Sequence, residues 1–231
     1  MSNCWIKNYL GNDFKNLITM DLVCHGTPSP KLWKEYVKYQ ENKYKSKIKE
    51  AYFRNKTYGY HSGTMKLVFQ NGKKYYGSAR VDFMLKSFFK EISSRPACYE
   101  CAFKTKKHCS DFTVFDCWHI SQVVPKINDD DKGYTNVFVN SEKAINILES
   151  LKDDIHIYEV DMDEAIRLDG PMVENSKKPH KNRKSFYKSI NNEGLEKTIE
   201  KYIPISVKDN IVEKSKVILF KLGIMSKLKN K

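Results

Sequence analysis

The alternation of apolar and polar positions changes period repeatedly along this chain. A mostly apolar run over residues 17–23 predicts a buried strand. Gly26-Thr-Pro-Ser29-Pro30 then supplies a turn, an N-cap serine and a proline at the first helical position. Leu32, Trp33, Tyr36, Val37 and Gln40 recur at helical spacing, so a helix is predicted to residue 43. Residues 48–54 and 63–70 read as strands. Asn71-Gly72 is the best hairpin signal in the sequence, and residues 73–78 return as the partner strand. Residues 81–92 carry Phe83, Met84, Phe88, Phe89 and Ile92, a thick apolar face for a buried helix.

The second half continues the mixture. Residues 111–116 and 134–139 are β-branched and aromatic, hence strands, and Ser141 caps a helix through residue 151 with Glu142 in its first turn. A strand over 155–160 and a short helix over 161–168 follow. Residues 175–183 form a basic loop, and 186–203 read as one helix. The tail, 207–231, places Ile211, Ile218, Leu222 and Met225 roughly on one side among lysines. These elements predict an α+β fold: a mixed sheet with flanking helices and a C-terminal helical tail. The division expected is one domain over 1–170, then the basic loop and helical tail over 171–231. A basic amphipathic tail can lie on an anionic membrane. Docking on its own domain or on a partner subunit is the expectation here, because most amphipathic helices face a protein core.

Composition narrows the class. The chain has 231 residues, of which 40% are hydrophobic and 30% charged. No apolar run approaches the roughly 20 residues a spanning helix needs, and the first residues lack the basic-then-apolar order of a signal peptide. Six cysteines in such a chain suggest a reducing cytosol with thiols left free for metals. The expectation is a soluble cytoplasmic protein. The net charge of +13 is mostly lysine spread over the whole length, which argues for solvated faces rather than a specific nucleic-acid surface. The same field would favour an anionic cofactor.

The chemistry concentrates at cysteines. Cys98-Tyr-Glu-Cys101 has the spacing with which two thiolates grip one metal from a tight turn, and Cys109 follows a basic spacer. Cys24 ends the first apolar run and is followed by His25 and Gly26. Zinc and iron both remain open on residue types alone, since Cys98, Cys101 and Cys109 with His108, Cys24 or His25 also make a tetrahedral donor set. Arg54 and Lys56, at a strand end, are candidates for clamping a cofactor phosphate. Asp111 and Asp116 are five apart in a strand and point to opposite faces, so they are not read as an acid/base pair. No Gly-rich phosphate loop and no Gly-x-Ser-x-Gly nucleophile motif occurs.

Taken in order, Asp21-Leu-Val-Cys-His-Gly-Thr-Pro-Ser-Pro-Lys-Leu-Trp33, Phe53-Arg-Asn-Lys56 with Tyr58-Gly59, Cys98-x-x-Cys101, and Ser110-Asp-Phe-Thr with Asp116-x-Trp118 resemble one family. It is the coenzyme F-420 hydrogenase/dehydrogenase beta-subunit family, in its C-terminal domain. Lys178-Pro-His-Lys-Asn-Arg183 with Phe186-Tyr187 is similar to the arginine-aromatic segment near the end of many members. The resemblance implies an iron–sulfur oxidoreductase subunit relaying electrons between a 4Fe–4S cluster and a flavin or deazaflavin, with FAD as the bound flavin. It implies Cys98 and Cys101 as cluster ligands, Cys24 as a third and Cys109 as a further thiol.

Two departures shape the expectation. Relatives usually continue upstream with a flavin- and cluster-bearing portion, whereas this chain starts close to the matched segment. It is therefore expected to be an N-terminally truncated or split member that depends on another polypeptide, or on a redox partner protein, for the missing part. The family's Gly-Asp-aromatic-Trp-Gly stretch reads Phe115-Asp-Cys-Trp-His119 here. A zinc-stabilised interaction domain without catalysis, or a remnant without cofactor, are the rival readings.

Overall fold

The computed structural model describes residues 4–12 and 14–222. The chain folds as two compact units, Met1–His25 with Glu100–Ser176, and Gly26–Tyr99 with Lys177–Lys231. Both are α+β.

The first unit holds a mixed three-stranded sheet of order β1-β5-β6, made of β1 (Met20–Leu22), β5 (Phe112–Cys117) and β6 (Tyr134–Val139). β5 is central. It pairs in parallel with β1, Met20 opposite Phe112, and antiparallel with β6, Phe112 opposite Val139. Phe112, Phe115 and Cys117 of β5 are buried together with Ile120, Ala144, Ile166 and Val173. Among the described residues the helices of this unit are α1 (Cys4–Leu10), α4 (Ile120–Val123), α5 (Glu142–Leu151) and α6 (Met162–Leu168). The side chain of Ser141 caps α5, as its sequence predicts, and that of Asp161 caps α6.

The second unit holds an antiparallel meander, β2 (Ile48–Asn55), β3 (Thr64–Phe69) and β4 (Lys74–Ser78), with Asn71 and Gly72 in the β3–β4 turn. Around it lie α2 (Pro30–Tyr44), α3 (Phe83–Phe89), α7 (Arg183–Glu193), α8 (Leu195–Tyr202) and α9 (Val207–Lys221). Ser29 caps α2, its side chain accepting from the Lys31 N–H at 3.2 Å, and Asp82 caps α3.

Four expectations change. The division at 170/171 does not describe the units, because Phe186, Ile190, Leu195, Ile199 and Ile203 pack into one core with Leu32, Tyr36, Leu67 and Phe69. The C-terminal helices have an apolar stripe with nothing of their own to bury it against, so they complete the core of residues 26–99 instead. The first strand shrinks to three residues at the sheet edge, paired with β5 alone among the described strands, and its Met20 and Leu22 side chains are 58% and 67% exposed rather than buried. Residues 155–160 are no strand: every one is exposed and none pairs, and an apolar alternation without a neighbouring ladder cannot satisfy its backbone as sheet. The predicted helix over 186–203 is two helices, broken at Gly194.

Gly194 adopts φ 82° and ψ 171°, a region open in practice to glycine alone. Nothing lies within 4 Å of where a Cβ would stand. Gly194→Ala is thus expected to destabilise through backbone strain and not through a clash, by about 1–3 kcal/mol in urea unfolding. A variant as stable as the wild type would show that the α7–α8 break relaxes freely.

The tail helix docks on its own unit, as expected, but by a different face from the one expected. Glu213 is buried and accepts from the Ser78 N–H at 2.7 Å and the Ser78 hydroxyl at 2.6 Å. Asp209 lies 3.5 Å from Lys86 Nζ, Lys216 donates to the Ser62 hydroxyl, and Phe220 meets Tyr58 edge-on at 5.3 Å. Ile211, Ile218 and Leu222, the side read as the docking face, are exposed; Met225 lies outside the described residues. Among the described residues no helix is long and apolar enough to cross a membrane.

Candidate functional site

In the second unit the segment after Gly26 runs beside the one before Cys98. Pro28 bridges to Ser94, the Ser29 N–H donates to Ser93 O at 2.9 Å, and the Arg95 N–H to Thr27 O at 2.9 Å. This clasp delivers the chain into a single 3-10 turn, Pro96–Cys98, in which the Cys98 N–H returns to Arg95 O at 3.0 Å. Proline fits the turn's first position because its missing N–H would be unpaired there anyway. The result is a half-buried Cys98 thiol whose Sγ accepts the Thr27 N–H at 3.3 Å. Gly26 permits the close approach: a Cβ there would stand 3.1 Å from Ser94 Oγ and 3.5 Å from Cys98 Cβ.

The arginine-aromatic segment is the buttress of this clasp. Arg183 donates to Ser94 O through Nε at 3.3 Å and NH2 at 2.9 Å, and its guanidinium carbon lies 5.7 Å from the Tyr99 ring centre and 5.0 Å from that of Tyr187. The Tyr187 hydroxyl donates to Ser93 O at 3.0 Å, and the Tyr99 hydroxyl to Glu91 O at 2.6 Å. Stacking on two rings holds a planar cation in one orientation. The Ser93 and Ser94 hydroxyls are buried and have no hydrogen-bond partner among the described residues.

Arg54 and Lys56 lie at the end of β2 and just beyond it, both exposed. They converge on one buried ring, with the Arg54 guanidinium carbon 5.1 Å and Lys56 Nζ 5.0 Å from the centre of Tyr60. Two cations on one ring make a local positive spot.

The other cysteines belong to the first unit. Cys24 follows β1, after the Val23 N–H has donated to Val114 O at 3.0 Å, and its thiol is free and exposed. The ammonium of Lys104 pins this segment by donating to the Cys24 and Met172 carbonyls. Cys101 is free and half-buried, its N–H donating to Ser176 Oγ at 3.1 Å. Cys109 departs from the expectation of free thiols: it is disulfide-bonded and as it stands presents no thiolate. Beside it, His108 Nδ1 lies 2.9 Å from Asp21 Oδ2, leaving His108 Nε2 and Asp21 Oδ1 buried without a hydrogen-bond partner among the described residues.

Sequence reading missed two features. Cys117 is buried, and burial first, then the neighbouring Asp169, pushes its thiol up to about 11, which keeps it protonated and structural. His119 Nδ1 lies 2.6 Å from the buried Asp169 carboxylate, whose other oxygen accepts the His119 N–H at 3.2 Å. The pair is 50 residues apart in the chain, so no local spacing announces it.

By donor chemistry, the free thiols of Cys24, Cys98 and Cys101 suit iron, since soft thiolates are the usual ligands of its sulfur clusters. By geometry, no three of His, Cys, Asp and Glu gather into a metal-holding group among the described residues. Comparison with curated proteins and with solved structures gives no significant match. The family model for the C terminus of the coenzyme F420 hydrogenase/dehydrogenase beta subunit does match, over residues 7–165, more than half the chain, and the chain belongs to that family of redox-enzyme subunits.

Proposed function

We propose that this protein is an electron-relaying part of a flavin- or deazaflavin-linked oxidoreductase, working with a redox partner protein or a polypeptide that carries the remaining portion of the enzyme. Family membership supports the redox role. The observation that carries the finer reading is the N–H···S bond from Thr27 to Cys98, held by the clasp and by Arg183. An amide aimed at a cysteine sulfur stabilises the thiolate and raises the potential of whatever it ligates.

In this reading Cys24, Cys98 and Cys101 would hold a 4Fe–4S cluster, with Cys109 as the further thiol once its disulfide is reduced. The cluster supplies one-electron transfer when bound. Arg54 and Lys56 would receive the phosphates of FAD or of an F-420-type deazaflavin. A second reading keeps a footing at His108: an imidazole oriented by Asp21, with Nε2 lacking a partner, is held as zinc-ligating histidines commonly are. The zinc reading would make the protein a non-catalytic interaction domain.

The test is iron, sulfide and zinc content of protein purified without oxygen and with thiols reduced, for the wild type and for Cys98→Ser. Iron and acid-labile sulfide in the wild type, with a visible band bleached by dithionite and both lost in a still-folded variant, are expected. Zinc in equal amount to protein, without sulfide, would replace the redox reading by the structural one.

A further inference from the structure

We propose that α9 lies on an anionic lipid surface, with its apolar stripe in the headgroup boundary and its polar face still bound to the second unit. Val207, Ile211 and Ile218 of the helix, and Leu222 at its C-cap, follow one another at spacings of four, seven and four, which keeps them on one side. They are 76%, 59%, 57% and 63% exposed. A stripe of this kind in a docked helix is unusual, because docking normally consumes the apolar side. Here docking consumes the acidic side.

The distribution of charge selects the occupant. Both acids of α9 face the domain: Glu213 is buried on Ser78, and Asp209 is engaged by Ser206, Arg80 and Lys86. What borders the apolar stripe on the exposed surface is Lys208, Asn210, Lys214 and Ser215, cationic or neutral throughout. The sequence beyond the described residues adds Lys227, Lys229 and Lys231 and no acid. An apolar stripe whose rim carries lysines and neutral residues but no acid complements a surface that is apolar beneath and negative above, which is an anionic bilayer. A protein partner would more often meet it with a mixed charge rim.

The experiment is co-sedimentation of the full chain with vesicles of mixed phosphatidylglycerol and phosphatidylcholine, and with phosphatidylcholine alone, at physiological salt. Wild type is expected on the anionic vesicles only, with binding weakened as salt rises. Ile211→Ser with Ile218→Ser leaves the net charge untouched and is expected to lower partitioning at least about tenfold. Equal binding by that variant would reduce the effect to lysine attraction and overturn the proposal, as would absence of wild-type binding. A self-association lost in the same variant, with no vesicle binding, would assign the stripe to a second copy. Ile218→Trp keeps the stripe apolar and reads it directly. Its emission is expected to shift to the blue on anionic vesicles, and unchanged emission would overturn the proposal even if the serine variant failed to fold.

Discussion

Asp111→Ala is expected to destabilise the first unit by about 3–5 kcal/mol, among the largest effects a single substitution here can have. The Asp111 side chain is fully buried. One carboxylate oxygen accepts from the Thr19 N–H at 2.8 Å and the Thr19 hydroxyl at 2.7 Å; the other accepts from the Ser141 hydroxyl at 2.7 Å, with Lys143 Nζ at 3.9 Å. Ser141 is itself the cap of α5. A single carboxylate thus ties the start of β1, the start of β5 and the head of α5. Removing it leaves the buried Thr19 N–H and hydroxyl, and the half-buried Ser141 hydroxyl, without this acceptor, and each buried loss costs about 1–3 kcal/mol. The measurement is urea unfolding, with hydrogen exchange at the amides of Phe112–Cys117 to locate the loss. Exchange in that strand as slow as in the wild type would show that water replaces the carboxylate, and the account would fail. Asp116, on the same strand, is exposed.

Asp82 plays the equivalent part in the second unit, and it also titrates. Its carboxylate caps α3 through the Leu85 N–H at 2.8 Å and accepts the Tyr36 hydroxyl at 2.5 Å and the Tyr75 hydroxyl at 3.1 Å. Asp82→Ala strands the buried Tyr36 phenol, the partly buried Tyr75 phenol and a helix cap, for an expected loss of about 3–5 kcal/mol. Full burial pushes the Asp82 carboxyl up from 3.8 to about 6, against the opposing pull of those donors. The same burial, with Asp82 beside them, raises both phenols.

The sign follows from which state holds the proton more tightly. A raised folded value means that the native state binds the proton better than the unfolded chain does. Its stabilising contribution is therefore complete below pH 3.8 and is lost as pH rises through about 6. The wild type should lose on the order of 3 kcal/mol relative to Asp82→Asn across that window. Unfolding free energies of both proteins at several pH values test this; parallel profiles would mean that Asp82 stays ionised throughout.

How far the fold was readable depended on whether the signal was local. The cap serines Ser29 and Ser141, the turn at Asn71-Gly72 and the run of β5 all act within a few residues, and all are where sequence reading puts them. Residues 155–160 have the alternation of a strand but no ladder to join. The break at Gly194 hid inside an apolar period that α7 and α8 share. At the candidate site, the cysteines and the arginine-aromatic segment stood out as residue types, and the matched family was recognisable from their order. The clasp of Thr27 on Ser93–Cys98, the stacking of Arg183 between Tyr99 and Tyr187, and the pair His119–Asp169 did not.

By itself, then, the order of residues determined the caps, the hairpin turn, most of the local elements and the family, because capping, turn conformation and motif identity depend on neighbours in the chain. Only tertiary structure decided which face of each element is buried. The stripe of α9 that periodicity alone assigned to the interior is exposed, since Glu213 and Asp209 find better-placed partners in Ser78 and Lys86 than the isoleucines find in any core. It also decided that the C-terminal helices complete the core of residues 26–99, and that Cys109 is disulfide-bonded while Cys24, Cys98 and Cys101 are free. Those outcomes rest on contacts between residues far apart in sequence, whose energies no local pattern encodes.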